Sequence, residues 1–284
     1  MQCLNTLRAC ALRLPTGVVG TAQPHINVIT KRWKRKSPCD RCYIPKHPKP
    51  CFDINSITLM RATDCHAKLI RSFLYTHYWP REPTIISLWM SLDSPLLDVL
   101  TDKYSTSGDR LMAFERIKRT GETKLVGLAV ASRIYPWTQL ELDEWAHATR
   151  ALPEKYKIYF SAHCLKKSNL FKKYNADYIY DVEILGTASE ITGQGVATLL
   201  LNKMLDNAKE LRHPVVQVVA VSKYATKICE KCGMKLEWSM DYADFTNECG
   251  HRIFYPRRPH HSVGVYAKFF DPRKGGVLPC KPQY

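Results

Sequence analysis

The sequence predicts an α/β fold built on a mixed sheet, and three observations carry that prediction. A β-hairpin pattern occupies 111–132, and strand patterns then alternate with amphipathic helix patterns along the chain. The run 215–221 is almost wholly apolar, as expected of a strand that is buried on both faces of a sheet. A glycine-rich turn at 192–197 joins one predicted strand to the next helix.

The first predicted elements come before the hairpin. Residues 57–60 alternate like a short strand, and 63–78 have helical spacing with Thr63 or Asp64 as the N-cap. Trp79 and Pro80 should end this helix, because proline cannot continue a helix from its interior. A second helix is predicted over 84–101.

The later elements form the repeating part of the pattern. The hairpin strands are 111–117 and 124–132, around a turn at 120–121. Residues 141–175 read as mostly helical and 178–185 as a strand. A helix from 197 shows one apolar stripe and ends before Pro214, and the buried strand 215–221 follows. A helix over 223–232 has Gly233 in the C-cap place, and strands near 236–244 and 263–269 close the order.

Length and charge set the domain organisation. The chain has 284 residues and a net charge of +16, and residues 1–56 hold ten lysines and arginines against Asp40 and Asp53. We therefore predict a basic, Pro- and Cys-containing N-terminal extension at 1–56 that is disordered, an ordered domain at 57–270 and a C-terminal tail at 271–284. The basic excess lies largely in the extension, so no nucleic acid is expected as a partner of the main domain.

Other features of the sequence bear on cellular location, membrane association and metal binding. No apolar run approaches the roughly 20 residues that span a bilayer, so a soluble protein without a membrane partner is expected. A cytoplasmic location is predicted, with a mitochondrial one as the alternative because the N-terminus is free of acids and bears Arg8 and Arg13. The pairs Cys39–Cys42 and Cys229–Cys232 each have the CxxC spacing of zinc ligands. Each pair supplies only two of the four ligands that a structural zinc needs, so no metal is predicted.

The turn Thr192–Ala197 is the candidate ligand site. It consists of Thr192, Gly193, Gln194, Gly195, Val196 and Ala197. The first turn of a helix offers unpaired N–H groups and the positive end of the dipole, and small residues let an anion approach them. No Lys-Ser/Thr follows as in a P-loop, and the GxGxxG spacing of dinucleotide sites is lacking.

This turn resembles the coenzyme A loop of the GNAT acetyltransferases, whose pattern is Arg/Gln-x-x-Gly-x-Gly/Ala. Gly195 and Ala197 fit its last two fixed positions, and Thr192 stands where Arg or Gln is usual. The helix that ends in Gly233 is similar to the family's helix after its fifth strand.

Four further features are similar to the insect arylalkylamine N-acetyltransferase branch of that family. They are Lys223-Tyr224, the segment 241–245, Pro259-His260 followed by a strand ending in Lys268, and Glu82-Pro83 after the first helix. The resemblance covers about 57–270. It implies a GNAT fold with splayed central parallel strands, acetyl-CoA as co-substrate and a small-molecule primary amine, an arylalkylamine, as acceptor.

The resemblance also implies roles for residues. Glu82 would be the general base, acting through water, and the loop 192–197 would cradle the pyrophosphate of the cofactor. Backbone N–H groups at Leu185, Gly186 and Thr187 would contact the thioester oxygen.

The positions where the family has the proton donor for the leaving thiolate hold other residue types in this sequence. Cys229 stands where many members have tyrosine, and Ala225 where members of the branch often have serine. Ser222 and Tyr224 remain as hydroxyl donors. His260 is a candidate for the amine site.

Two alternatives stay open at this stage. One is an acyltransferase of the same fold that acts on a polyamine or an amino acid, or that uses a longer acyl chain. The other is a CoA-binding protein with little activity, which the departures at Thr192, Ala225 and Cys229 suggest. The sequence leaves the oligomeric state open.

Overall fold

The computed structural model describes residues 52–116 and 121–270 of the chain. The predicted basic extension, apart from 52–56, lies outside the described residues, as do the Cys39–Cys42 pair and the tail at 271–284. Within the described residues, no helix combines the length and the apolar character that crossing a membrane requires.

The helices flank a central sheet and follow the predicted order with one exception. Their bounds are α1 (Ala67–Phe73), α2 (Pro83–Ser87), α3 (Pro95–Thr106), α4 (Thr138–Ala148), α5 (Leu152–Ser168), α6 (Leu170–Tyr174), α7 (Val196–Glu210) and α8 (Lys223–Lys231). The exception concerns 84–101, which was predicted as one helix.

That prediction was wrong, because α2 ends at Ser87 and α3 begins at Pro95. Between them Trp89 has a φ of 53°, in the left-handed region that an α-helix excludes. Pro95 occupies the first turn of α3, where its missing N–H is no loss. The apolar residues at 86–97 therefore belong to two helices with a turn between them.

Strands from both halves of the chain form one mixed sheet. They are β1 (Ile57–Arg61), β2 (Asp109–Arg116), β3 (Thr123–Ile134), β4 (Ile179–Thr187), β5 (Val215–Ala220), β6 (Lys235–Asp241) and β7 (Ser262–Phe269). Their order in the sheet is β1-β2-β3-β4-β5-β7-β6. Only β4 and β5 are parallel neighbours among these strands, so the predicted α/β fold with a mixed sheet is confirmed.

The parallel pair separates soon after it forms. The strands β4 and β5 are in register at Tyr180 with Val216 and at Asp181 with Gln217, but β4 continues to Thr187. On its other side β4 stays paired with β3, with a β-bulge at Glu183 because Val130 pairs with Ile184 and Ala131 with Val182. The two central strands therefore diverge towards their carboxyl ends, as a splayed sheet requires.

The segment between α1 and α2 lies beside β4, near the point where β4 and β5 separate. A π-helical turn, Leu74–Tyr78, continues α1, and a 3-10 turn, Trp79–Arg81, follows it. Helix α2 then begins after Glu82. Irregular turns of this kind are frequent where side chains must be aimed at a site, and here they place 77–82 beside β4.

Candidate active site

A groove of about 730 Å³ lies where β4 and β5 diverge, and we call it the strand groove. Val182, Leu185 and Gly186 of β4 form one wall, and Val218 and Val219 of β5 form the other. The groove exists because the two strands lack a shared ladder beyond Asp181 and Gln217. The side chains of both walls are apolar, which suits the uncharged part of an extended ligand.

The glycine-rich turn closes one end of the strand groove. Gly193 and Gly195 have φ values of 86° and 91°, which glycine adopts at little cost and other L-residues rarely adopt. A Cβ atom at Gly193 would meet nothing within 4 Å, so the backbone is open to a ligand there. Gly195 is the N-cap of α7 and offers no side chain, so the first N–H groups of this helix stay available.

The predicted loop residues differ in where they lie. Thr192, Gly193, Gly195, Val196 and Ala197 all line the strand groove, as do Leu185, Gly186 and Thr187 at the end of β4. Gln194 is not among the lining residues, and its backbone N–H donates to the carbonyl of Ile191 at 3.2 Å.

The same groove carries a concentration of positive charge. Arg81, Lys227, Lys231, Arg257 and Arg258 all line it. Cations and open backbone N–H groups at one end of an apolar channel fit a molecule that has phosphate groups and an extended uncharged arm. The residues present are therefore suited to an acyl-CoA.

A second cavity, of about 270 Å³, lies among the helices, and we call it the helix cavity. Most of its lining side chains are apolar or aromatic, and α3, α4 and α5 carry most of the lining. They include Trp79, Leu100, Tyr104, Leu142, Trp145 and Phe160. The Trp79 indole donates to the hydroxyl of Thr101 at 2.8 Å, which fixes this ring in the wall. Such a lining suits a compact, largely apolar ligand.

The strand groove and the helix cavity meet. Both are lined by Tyr78, Glu82, Glu183, Val219 and Val221. A ligand lying along the groove and a ligand seated in the cavity would therefore come together beside two carboxylates. Two molecules can be brought into contact there while much of each is held away from water.

Glu82 is buried at this meeting point, with a relative exposure of 5%. It is the N-cap of α2, and one carboxylate oxygen accepts the N–H of Ile85 at 2.6 Å. The hydroxyl of Thr84 lies 2.7 and 2.8 Å from the two oxygens, and Lys157 Nζ lies 3.3 Å from Oε1. The turn between two prolines thus holds a buried carboxylate in a fixed position, rather than a solvated one.

Helix α8 presents hydroxyl groups to the strand groove at its N-terminus. Ser222 is the N-cap, and its hydroxyl accepts the N–H of Ala225 at 3.0 Å while keeping its own proton to donate. Tyr224 is half exposed, and its ring packs edge-on against His260. Nδ1 of His260 accepts the N–H of Lys223 at 3.2 Å, and burial lowers the pKa of this histidine.

Cys229 faces the protein core. Its side chain is fully buried, and burial raises the pKa of the thiol to about 12. Cys229 is not among the residues that line the strand groove or the helix cavity. The side of α8 that faces the groove carries Ala225 and Ile228 instead.

Besides Glu82, the helix cavity is lined by the carboxyl groups of Glu183 and Asp181, where the parallel strands part. Glu183, at the β-bulge, accepts from Lys103 Nζ at 2.7 Å and from the Tyr104 hydroxyl at 3.1 Å. Asp181 is buried and accepts only a 3.2 Å bond from the amide of Gln217 among the hydrogen bonds within 52–116 and 121–270. Burial and the neighbouring Glu183 raise the pKa of Asp181 to about 7.

No protein-family model matches the chain. Solved structures do resemble it. Mosquito arylalkylamine N-acetyltransferase-like 5b has a TM-score of 0.68 at 22% identity, over 76% of this chain and 100% of that one. Arylalkylamine N-acetyltransferase 2 of Aedes aegypti gives 0.67 at 22% identity, over the same shares. Drosophila melanogaster polyamine N-acetyltransferase gives 0.65 at 17% identity, over 75% and 100%.

The chain therefore has the GNAT fold, as the glycine-rich loop and the order of elements predicted. Within that fold its architecture is similar to that of the insect arylalkylamine and polyamine N-acetyltransferases.

Four residues at the site were not found from the sequence. Arg81, Lys157, Asp181 and Glu183 all line the groove or the cavity. Arg81 directly precedes Glu82, and that adjacency was the one available indication. Lys157 lies on a helix whose charged residues look like an ordinary solvated face, and Asp181 and Glu183 lie in a strand pattern.

Proposed function

We propose that this protein transfers the acetyl group of acetyl-CoA to a primary amine. The observation that carries the proposal is that the strand groove and the helix cavity meet at Glu82. A two-substrate transfer needs both reactants in contact, with a group that removes a proton beside the attacking atom. The GNAT fold, shared with N-acetyltransferases, supports the same reaction class.

Bound in the strand groove, acetyl-CoA supplies a thioester as acetyl donor. The loop N–H groups at Gly193, Gly195 and Val196 bind its pyrophosphate in this proposal. Backbone N–H groups near Leu185, Gly186 and Thr187 stabilise the negative charge that develops on the carbonyl oxygen. One preorganised donor of that kind contributes about 3 kcal/mol to such a reaction.

Glu82 removes the proton from the amine. A free glutamic acid has a pKa of about 4.3 and an alkylammonium about 10, so direct transfer between them is poorly matched. A water molecule between the two relays the proton, and the neutral amine then attacks the carbonyl carbon. The donors Ile85 N–H, Thr84 and Lys157 keep the carboxylate aimed at the junction.

The departing thiolate takes a proton as the carbon–sulfur bond breaks. Ser222 and Tyr224 line the strand groove and carry O–H groups that can donate it. Cys229 is buried in the core, so it takes no part in the proposed reaction.

The chemistry of the helix cavity indicates the amine. Trp79, Tyr104, Trp145 and Phe160 give it aromatic walls, and Leu96 and Leu142 add aliphatic ones. Aromatic side chains favour an aromatic ligand through offset and edge-on ring contacts, each contributing about 0.5–1.5 kcal/mol. We therefore propose an arylalkylamine as the acceptor, with its ring among the helices and its amine near Glu82.

A polyamine is the second candidate, and a specific observation favours it. Asp181 lies in the cavity and forms no ion pair with another described residue, while the nearby Lys103 is paired with Glu183. A second ammonium group on the acceptor would be stabilised there by charge. A monoamine makes no use of this carboxyl.

The experiment is a mass-spectrometric acetylation assay on the purified full chain. The panel holds tryptamine, tyramine and dopamine on one side, and putrescine, agmatine and spermidine on the other. We expect the highest kcat/KM with an aromatic monoamine. If only the diamines are acetylated, the second candidate replaces the first. Binding of acetyl-CoA with no turnover of any amine would contradict the enzymatic proposal.

A further inference from the structure

The guanidinium of Arg81 lies on the glycine-rich loop although Arg81 comes from the turn that follows α1. Its Nη1 donates to the Thr192 hydroxyl at 3.0 Å, and its Nε donates to the carbonyl of His77 at 2.6 Å. Its Nη2 also contacts the carbonyl of Thr187, at the end of β4. Three acceptors from three segments thus fix the planar group at the edge of the strand groove.

These contacts leave part of the guanidinium unused. Arginine has five N–H donors, and three of them are accounted for, so one N–H on each terminal nitrogen remains. No carboxylate of residues 52–116 and 121–270 forms an ion pair with Arg81, and the nearby Glu190 is paired with Lys124. Burial accordingly lowers the pKa of Arg81. A cation at the edge of the groove that has two unused N–H donors and no ion pair among the described residues is available to an anionic ligand.

The residue type at Thr192 bears on the role of this contact. The resembling loops carry Arg or Gln at that place, whereas here the side chain is a short hydroxyl that accepts from Arg81. A long side chain with N–H donors, which the loop lacks at Thr192, is therefore supplied at the same place from another segment.

We propose that Arg81 binds the pyrophosphate of the acyl-CoA, replacing the long donor side chain that Thr192 does not provide. This inference rests on the proposed function, because it needs an acyl-CoA in the strand groove. Thr192 then serves as the hydroxyl that orients the guanidinium. Arg81 immediately precedes Glu82, so the same turn would hold the cofactor phosphates and the general base.

A purely structural role for Arg81 makes a different prediction. The carbonyls of His77 and Thr187 could be joined by Arg81 only to hold the turn against β4. In that case its loss would disturb Glu82 and damage catalysis with any acetyl donor. The two roles are separated by a donor that lacks phosphates.

The test compares acetyl-CoA with S-acetylpantetheine, which keeps the thioester arm and has no pyrophosphate. For Arg81→Met we expect the KM for acetyl-CoA to rise about tenfold to a hundredfold, the loss typical of a charge-assisted contact. The KM for S-acetylpantetheine should change less than about threefold. An equal loss with both donors would overturn the proposal in favour of the structural role.

Rescue and control variants sharpen the result. Thr192→Arg should restore most of the acetyl-CoA affinity in the Arg81→Met background, yet weaken it in the wild type, where two guanidinium groups would collide. Lys209→Met, an exposed lysine in the last turn of α7, is the control for loss of one positive charge. Arg81→Lys keeps the charge without the planar fork and should lose several-fold for acetyl-CoA only, so it serves if Arg81→Met does not fold.

Failure of this inference is distinguishable from failure of the proposed function. Direct binding of CoA to the wild-type chain, measured by calorimetry, is the first step. If CoA does not bind, the proposed function fails and takes the inference with it. If CoA binds equally to the wild type and to Arg81→Met, only the role of Arg81 is refuted.

Discussion

The strand groove and the helix cavity meet at Glu82 but are built in different ways. Much of the groove lining lies in three short stretches of chain, within 182–187, 192–198 and 218–222, and most of the rest comes from 77–83, α8 and 257–260. The cavity consists of side chains from α3, α4 and α5, which are separated by up to about 70 residues along the chain.

This difference has a chemical basis. Binding phosphate through N–H groups constrains the backbone, which calls for glycine at set spacings and leaves a pattern in the sequence. A cavity for an amine needs only apolar side chains of suitable volume, and many residues satisfy that requirement equally. Changes in the groove should therefore alter acetyl-CoA kinetics, whereas changes in the cavity should alter amine kinetics.

The largest effect is expected at the junction, where the distinction between the two regions disappears. Glu82→Gln keeps an acceptor for the Ile85 N–H but removes the proton acceptor. We expect kcat to fall about 100-fold to 1,000-fold, within the range typical of a general base, with little change in the acetyl-CoA KM. Initial rates by mass spectrometry measure this.

Glu210→Gln is the matched control, since Glu210 is exposed at the end of α7. The thermal midpoint of both variants should be recorded, because Glu82 also caps α2. A Glu82→Gln variant that is folded and keeps a third of the wild-type kcat would remove Glu82 from the mechanism.

The next effect should be confined to the cavity. Leu142 lines it from α4, and Leu142→Trp would fill space that the proposed ring occupies. We expect the amine KM to rise about tenfold or more, since one methylene group in an apolar pocket already changes discrimination by about 1–3 kcal/mol. The acetyl-CoA KM should stay within about twofold. Steady-state kinetics with each substrate varied in turn measure both.

Leu140→Trp on the same helix supplies the comparison, because Leu140 is 59% exposed and lies outside the cavity lining. If Leu142→Trp raised the KM values of both substrates alike, the two regions would not be independent, and the assignment of the amine to the cavity would be wrong.

The fold was predictable from the sequence where local pattern and tertiary role agree. The apolar run at β5, the capped helix α8 and the hairpin strands β2 and β3 all lie within a few residues of their predicted bounds. The split between α2 and α3 was missed. Apolar spacing continues across it, and the residue with the left-handed conformation is Trp89 rather than a glycine, so no turn-forming residue marks the break.

The residues of the candidate site likewise include some that the sequence indicated and some that only the folded structure brings together. The loop was named because its glycines mark unusual backbone, and Glu82 was named because the Glu82-Pro83 pair after the first helix resembles that of the arylalkylamine branch. Lys157 reaches Glu82 from 75 positions further along the chain. Nothing in the sequence around Lys157 indicates that contact, because only the packing of α5 against the turn at 79–82 creates it. Contacts between distant side chains are a property of the folded structure.

A smaller effect tests the carboxyl at the floor of the cavity. The pKa of Asp181 is raised to about 7, so the folded state holds a proton that the unfolded state releases near pH 4. The free energy of unfolding should therefore fall as pH rises from about 4 to 7. Asp181→Asn removes this loss, and at pH 8 we expect it to be more stable than the wild type by about 1–3 kcal/mol.

Urea unfolding at pH 5 and pH 8 measures the effect, with the exposed Asp206→Asn as control. The difference between Asp181→Asn and wild type should be greater at pH 8 than at pH 5. The same variant should raise the KM for diamines more than for tryptamine if the carboxyl binds a second ammonium group. A pH-independent difference would show that the pKa of Asp181 is not raised in the folded state.

The smallest effect on catalysis is expected at Cys229, which lies in neither region. Its thiol is buried against the core with its pKa raised to about 12, so it can neither protonate a thiolate in the groove nor attack a thioester. Cys229→Ala should leave kcat within about twofold of wild type while costing about 1–2 kcal/mol of unfolding free energy, because a buried sulfur is removed. The exposed Cys249→Ala should change neither quantity. If Cys229→Ala lowered kcat tenfold at an unchanged thermal midpoint, the thiol would have to reach the groove, and α8 would have to contribute to the site through a face other than the one that carries Ser222 and Tyr224.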